Sequence, residues 1–131
     1  MKKTSLALVF VFVFSFIASA HPPTDIIITF DPANSAVKAD IMHDSKDITK
    51  HFIKQIEVLV NGKSVIKQQA ETQTSNEKQA VFYVIPGLKP GDKVAIDADC
   101  SIYGDLTKEA VAPQMPVKGQ VKKKGTDKNK K

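Results

Sequence analysis

Four side chains in this 131-residue chain are of types that bind transition metals: the three histidines, His21, His43 and His51, and the single cysteine, Cys100. Neutral imidazoles and a thiolate form a borderline-to-soft donor set that suits iron, copper or zinc and is poor for calcium or magnesium. Each residue also has a structural alternative, since a histidine can be a polar loop residue and a cysteine can be a small core side chain. A metal site therefore requires a fold that brings these distant residues together.

Motifs for other chemistry are few. The sequence contains no nucleotide-binding glycine loop, serine-nucleophile elbow or CxxC pair. Asp40, Asp44 and Asp47 lie close to His43 in the sequence and could orient its imidazole by accepting a hydrogen bond. The histidines and the cysteine are therefore the main chemical signal.

The elements that would position these residues are β-strands. After residue 20, no apolar stripe of helical period continues for ten residues, whereas short β-branched runs recur between turn signals. Apolar and polar side chains alternate along 55–60 and 93–99, as expected for strands with one buried face. Seven strands are predicted, at residues 25–30, 36–42, 52–60, 63–69, 79–85, 92–99 and 106–112.

Turn residues support the same interpretation. Asn61-Gly62 between two predicted strands is typical of a type I′ hairpin turn, in which both central residues have positive φ. Residues 31–34 and 86–91 contain further proline, glycine and asparagine turn signals. The sequence therefore predicts an all-β fold, an immunoglobulin-like antiparallel β-sandwich of about seven strands. One cysteine cannot close the disulfide that many such domains carry.

The strand order also predicts where the metal-binding side chains lie. If consecutive strands alternate in direction, the turns at 31–34, 61–62 and 86–91 share one end of the sandwich. The opposite end receives His21 before the first strand, residues 43–51 between the second and third, residues 69–78 between the fourth and fifth, and residues 100–103 between the sixth and seventh. All three histidines and the cysteine are therefore expected to meet at one end and to form a metal site.

Several segments resemble a known family. The run HFIKQIEVLVNGK at 51–63, preceded by His43 and followed by KPGD at 89–92 and CSIYG at 100–104, resembles the iron domain of desulfoferrodoxin and neelaredoxin, the superoxide reductases. The likeness covers residues 21–110, and the 51–63 run is its most specific part. It implies an immunoglobulin-like sandwich that holds ferrous iron by four equatorial histidines and one axial cysteine thiolate, with the sixth position open to superoxide.

The resemblance assigns roles to individual residues. His21, His43 and His51 match three equatorial histidines, and Cys100 matches the axial thiolate. The implied activity is the one-electron reduction of superoxide, or binding of another small anion, with an electron donor that the sequence does not identify. Lys50, beside His51, is expected to attract the anion in place of the lysine that the family carries before its first histidine.

The sequence departs from the family pattern at the fourth histidine, where Tyr103 stands three residues after Cys100. A phenolate from Tyr103 is a candidate ligand that would favour ferric iron; otherwise a coordination position stays open. His43 and His51 are eight residues apart, whereas the family usually has a shorter loop. The sequence therefore predicts iron binding and leaves open whether the protein is an active oxidoreductase or a degenerate one.

Two alternatives belong to other functional classes. The first is a periplasmic copper-binding carrier, in which His21, as a mature N-terminus, chelates Cu(II) with its α-amine and a second imidazole. The second is a metal-free partner subunit, because residues 51–63 are also similar to the small sandwich subunit of the sulfur-oxidation carrier complex.

Composition divides the chain into three parts. Residues 1–20 are predicted to be a signal peptide, with two lysines, an apolar run from Leu6 to Ile17 and a small-residue cleavage site at Ala18-Ser19-Ala20. The apolar run is too short for a transmembrane helix. The protein is therefore expected to be exported, to the periplasm or the medium, without a transmembrane segment.

The remaining residues form one predicted domain, 21–112, and a predicted disordered lysine-rich tail, 113–131. Residues 117–131 carry seven lysines and one aspartate, so the tail could contact anionic surfaces. Residues 21–116 carry 10 lysines against 13 acidic residues and are mildly acidic. The basic excess of the whole chain, +5, therefore does not describe the domain.

Overall fold

The computed structural model of the protein describes residues 21–114, so the predicted signal peptide and residues 115–131 of the predicted tail lie outside the described residues. The seven predicted strands are all present, and their ends differ from the prediction by at most one residue. They are β1 (Asp25–Asp31), β2 (Ala36–Met42), β3 (Ile53–Val60), β4 (Lys63–Gln69), β5 (Lys78–Val84), β6 (Lys93–Cys100) and β7 (Asp105–Val111). A search of the same residues finds no helix long and apolar enough to cross a membrane.

The strands form two antiparallel sheets. One has the order β1-β2-β5 and the other has the order β4-β3-β6-β7. Neighbouring strands alternate in direction in both sheets. This architecture confirms the predicted all-β immunoglobulin-like sandwich, in which crossovers carry the chain between the sheets.

The core fills the space between the sheets with one face of each strand. On β6, Val94, Ile96 and Ala98 are fully buried and alternate with half-buried residues, as the pleat requires. Cys100 is in phase with them and is 1% exposed. The largest fully buried aliphatic side chains are Ile26, Ile41, Ile53, Ile56 and Ile96.

Polar contacts also join the sheets. The Tyr83 hydroxyl on β5 donates to Oε1 of Gln68 on β4 at 2.7 Å, and burial raises the pKa of Tyr83 to about 12. At another edge, Nζ of Lys108 on β7 lies 2.6 Å from Oδ1 of Asp25 on β1. These contacts tie strands of the two sheets together at both flanks.

The predicted hairpin turn is present at Asn61-Gly62, where φ is 51° and 80°. Nδ2 of Asn61 donates to Asp92 at 2.9 Å, and its Oδ1 accepts from the backbone N–H of Lys93 at 3.0 Å. The turn is therefore tied to the start of β6 at the end of the sandwich opposite the histidines.

Strand pairing fixes which segments share the histidine end. Asp25, the first residue of β1, pairs with Met42, the last residue of β2. Ile53, the first residue of β3, pairs with Cys100, the last residue of β6. The register shifts between Ile53 and Gln55, so the strand bulges beside the loop that carries the third histidine.

Candidate metal centre

The structure brings the three histidines and the cysteine together at one end of the sandwich. His21 precedes β1, His43 directly follows β2, His51 lies two residues before β3, and Cys100 ends β6. The ring centroids of His43 and His51 are 4.4 Å apart, and each lies 5.2 Å from that of His21. These three rings therefore surround a common point.

The donor atoms of His43, His51 and Cys100 all lie within 4.8 Å of one another. Two ligands on one ion are at most about 4.4 Å apart, the sum of typical metal–sulfur and metal–imidazole distances. A movement of a few tenths of an ångström would therefore suffice for coordination. A buried His43, His51 and Cys100 group is able to hold a metal ion.

The burial of two imidazole nitrogens without hydrogen-bond partners also supports a metal ion at this group. His43 is 0% exposed, and the Nε2 atoms of His43 and His51 are buried without a hydrogen-bond partner among the described residues. Burying a polar atom without a partner costs free energy, so such atoms in a folded protein need an explanation, and a bound ion is one. A metal ion would supply the missing partner to both atoms at once.

The other nitrogen of each of two rings is already engaged. Nδ1 of His43 lies 2.7 Å from Oε1 of the buried Gln73, and Nδ1 of His21 lies 3.1 Å from the carbonyl oxygen of Pro22. Because both acceptors are oxygens, each Nδ1 is the donor, and in a neutral ring each Nε2 then keeps its lone pair. Both imidazoles are thus held in the form that binds a metal through Nε2.

Burial and the neighbouring imidazoles favour the neutral form of His51. Burial lowers the pKa of His51 below its ordinary value, and the neighbouring His43 and His21 lower it further, whereas a hydrogen bond with the His21 backbone raises it. A neutral imidazole is the form that coordinates a metal. The cluster therefore disfavours the proton that would compete with an ion at His51.

Hydrogen bonds join the loop after Cys100, residues 101–104, to the loop that carries His51. We call residues 101–104 the cysteine loop. The Ser101 backbone N–H donates to the carbonyl of Phe52 at 2.8 Å, and Oγ of Ser101 accepts from the backbone N–H of Phe52 at 3.1 Å. Within the cysteine loop, Sγ of Cys100 accepts from the backbone N–H of Ile102 at 3.5 Å. These contacts fix the sulfur relative to the ring of His51.

The approach of His21 depends on a close contact with Gly104. A Cβ atom at Gly104 would lie 2.7 Å from Cβ of Pro22, and the residue has a φ of +86°. Glycine satisfies both the left-handed backbone and the tight contact. Pro22 therefore rests on the cysteine loop, which places the preceding His21 beside the other two rings.

Lys50 lies at the rim of the centre. Together with His21, His51, Ser45 and other residues it lines an open cleft beside the rings. Its side chain is 81% exposed, and its Nζ lies 3.4 Å from Oδ2 of Asp47. The structure therefore places a lysine charge beside the cleft, partly neutralised by one carboxylate.

Tyr103 has a different environment from the four clustered residues. Its side chain is 69% exposed, whereas His43 and Cys100 are buried. A phenolate ligand would require this ring to turn inward. Its role as a ligand stays a prediction.

Sequence reasoning missed Gln73 as the partner of His43. The candidate orienting residues were Asp40, Asp44 and Asp47, but Asp40 pairs with Lys38 and Lys78 at 3.0 and 3.1 Å. Oδ1 of Asp47 accepts from Thr49. Gln73 lies 30 residues from His43 in a loop without periodicity, so no local pattern indicated the contact.

Comparison with known proteins gives no match among family models, curated proteins or solved structures.

The lowered pKa of His51 predicts that the metal-free protein loses stability as pH falls from about 7.5 to 5.5. The unfolded chain takes up a proton at its ordinary histidine pKa, above the folded value, so acid favours unfolding. Urea unfolding in the presence of a chelator should show this fall in the free energy of unfolding between the two pH values. The fall should be smaller in the His51→Gln variant. A wild-type protein equally stable at both pH values would contradict the prediction.

Proposed function

We propose that this protein is an exported non-haem iron-binding domain of superoxide-reductase type, in which His21, His43, His51 and Cys100 hold the ion. The observation that carries the proposal is the pair of buried, unpartnered Nε2 atoms on His43 and His51, two residues whose donor atoms lie within 4.8 Å of the Cys100 sulfur. No residue near them in the described structure satisfies those atoms, and a transition metal suits the grouped donors of His43, His51 and Cys100.

The donor set supports a first-row transition metal. Imidazole suits iron, copper and zinc, and a thiolate adds soft character that calcium and magnesium do not use. The resemblance of residues 51–63 and 100–104 to superoxide reductases favours iron among these metals. Four protein donors would leave iron with at least one open coordination position, which a small ligand could take.

The exposure of the centre suits a small anionic substrate. The cleft beside the rings is lined by His21 and His51, whereas His43 and Cys100 are buried behind them. When bound, ferrous iron would supply one electron to superoxide, which with two protons gives hydrogen peroxide. Lys50, at the rim of the cleft, would raise the local concentration of the anion there. The burial of Cys100 would keep water away from its sulfur.

The two alternative functions have weaker support. A Cu(II) chelate through the α-amine and Nδ1 of His21 requires Nδ1 to face the metal, but Nδ1 is 3.1 Å from the Pro22 carbonyl. A metal-free partner subunit gives no reason to bury two imidazole nitrogens without partners. Iron binding through Nε2 leaves Nδ1 of His21 free to contact the Pro22 carbonyl, and it gives the two buried nitrogens a partner.

Cysteine ligation predicts a visible thiolate-to-ferric charge-transfer band in the protein after loading with iron and oxidation. The Cys100→Ser variant should lose the band, and the Tyr103→Phe variant should keep it because that ring is 69% exposed. Absorption spectra and iron content of the three proteins test this. A protein that binds no iron, or a band that persists in Cys100→Ser, would contradict iron ligation by the sulfur.

Loss of the Lys50 charge should slow the reaction with superoxide. In the Lys50→Ala variant we expect a second-order rate about threefold lower at low salt and a weaker dependence on ionic strength. Lys63→Ala, at the opposite end of the sandwich, removes the same charge and serves as the control. Pulse-radiolysis rates at several salt concentrations measure both effects, and equal rates in the two variants would remove Lys50 from the proposal.

A further inference from the structure

Gln73 contacts both the side chain and the backbone of His43. The residue is 3% exposed and lies in the loop between β4 and β5. Its Oε1 lies 2.7 Å from Nδ1 of His43, and its Nε2 donates to the His43 carbonyl at 2.6 Å. We propose that Gln73 is the positioning residue that sets the tautomer and orientation of His43 for metal binding, an inference that rests on the proposed function.

The hydrogen bonds of the Gln73 amide fix its orientation. Besides the His43 carbonyl, Nε2 donates to the carbonyl of Ser75 at 2.8 Å, so both of its N–H groups are used. A flipped amide would place Oε1 against two carbonyl oxygens. Oε1 must therefore face His43, and it can only accept, which requires a proton on Nδ1; the neutral ring is then the tautomer whose Nε2 lone pair is free.

Gln73 is itself held by a firmly anchored loop. Its backbone N–H donates to the carbonyl of Ile48 at 3.3 Å, and Oγ1 of Thr72 donates to the same carbonyl at 3.0 Å. The backbone N–H of His43 donates to the carbonyl of Glu77 at 2.9 Å. The β4–β5 loop therefore binds the His43 segment from both sides, so Gln73 has little freedom to release the ring.

Because the side chain of Gln73 is uncharged, it also affects how strongly the centre would attract an anionic substrate. A carboxylate at this position would add a negative charge beside the centre, whereas an amide adds none. A divalent ion with one cysteine thiolate and neutral imidazoles then keeps a net charge of +1. Such a centre attracts a small anion, in agreement with the proposed substrate class.

Replacement of Gln73 by methionine tests this role, because the side chain keeps a similar length and loses every hydrogen bond. We expect Co(II), titrated into the metal-free protein, to bind Gln73→Met about 10- to 100-fold more weakly than wild type. Gln79→Met is the matched control: Gln79 is also a buried glutamine, 7% exposed, but its Oε1 accepts from the backbone of Thr74. The control should lose stability and keep its Co(II) affinity within about twofold.

The tautomer of His43 can be measured in the wild-type protein, without any substitution. In ¹⁵N NMR spectra of the metal-free wild-type protein, His43 should be the Nδ1–H tautomer. The Nε2–H tautomer would overturn the inference, as would a Co(II) affinity of Gln73→Met equal to that of the control. If the wild-type protein binds neither Co(II) nor iron, the proposed function itself fails, which separates the two outcomes.

Discussion

The antiparallel pairing at one end of the sandwich is the constraint on which the candidate centre depends. Asp25 pairs with Met42 in one sheet, and Ile53 pairs with Cys100 in the other. Each pair brings a strand start beside a strand end, so residues next to these positions come from four distant parts of the sequence. The two sheets then pack face to face, and the segments that carry the imidazoles and the sulfur meet above the core.

Burial gives this arrangement an energetic consequence. Each unpartnered buried Nε2 atom costs about 1–3 kcal/mol in the absence of a ligand, so the metal-free fold carries a penalty at His43 and His51. An ion that bound only the folded chain would remove this penalty and stabilise the protein by mass action. The hydrophobic core, with its fully buried isoleucines in both sheets, is what allows the fold to hold the histidines in place beforehand.

Local sequence patterns were sufficient for the strands and for the placement of the histidines. The alternation along 93–99 and the Asn61-Gly62 turn are short-range signals, and alternation of strand direction follows from hairpins and short crossovers. Cys100 shows where such reasoning was incomplete, because core burial and metal ligation were treated as alternatives. As the last residue of β6, it is buried and also lies at the end of the sheet, so burial does not remove it from the group that could hold a metal.

The contacts that refine the centre depend on tertiary packing. Gln73 reaches His43 across 30 residues, and Pro22 rests on Gly104, which is distant in the sequence but lies at the same end of the sandwich. Neither contact has a periodic signal, because the partner of a loop residue depends on the backbone that it approaches in the folded chain.

X-ray absorption spectroscopy of the iron-loaded protein tests most directly whether three imidazoles and one sulfur share an ion. We expect a coordination shell with one sulfur and imidazole nitrogens, and the loss of the sulfur contribution in the Cys100→Ser variant. A shell of oxygen and nitrogen alone in the wild-type protein, unchanged by that substitution, would contradict it.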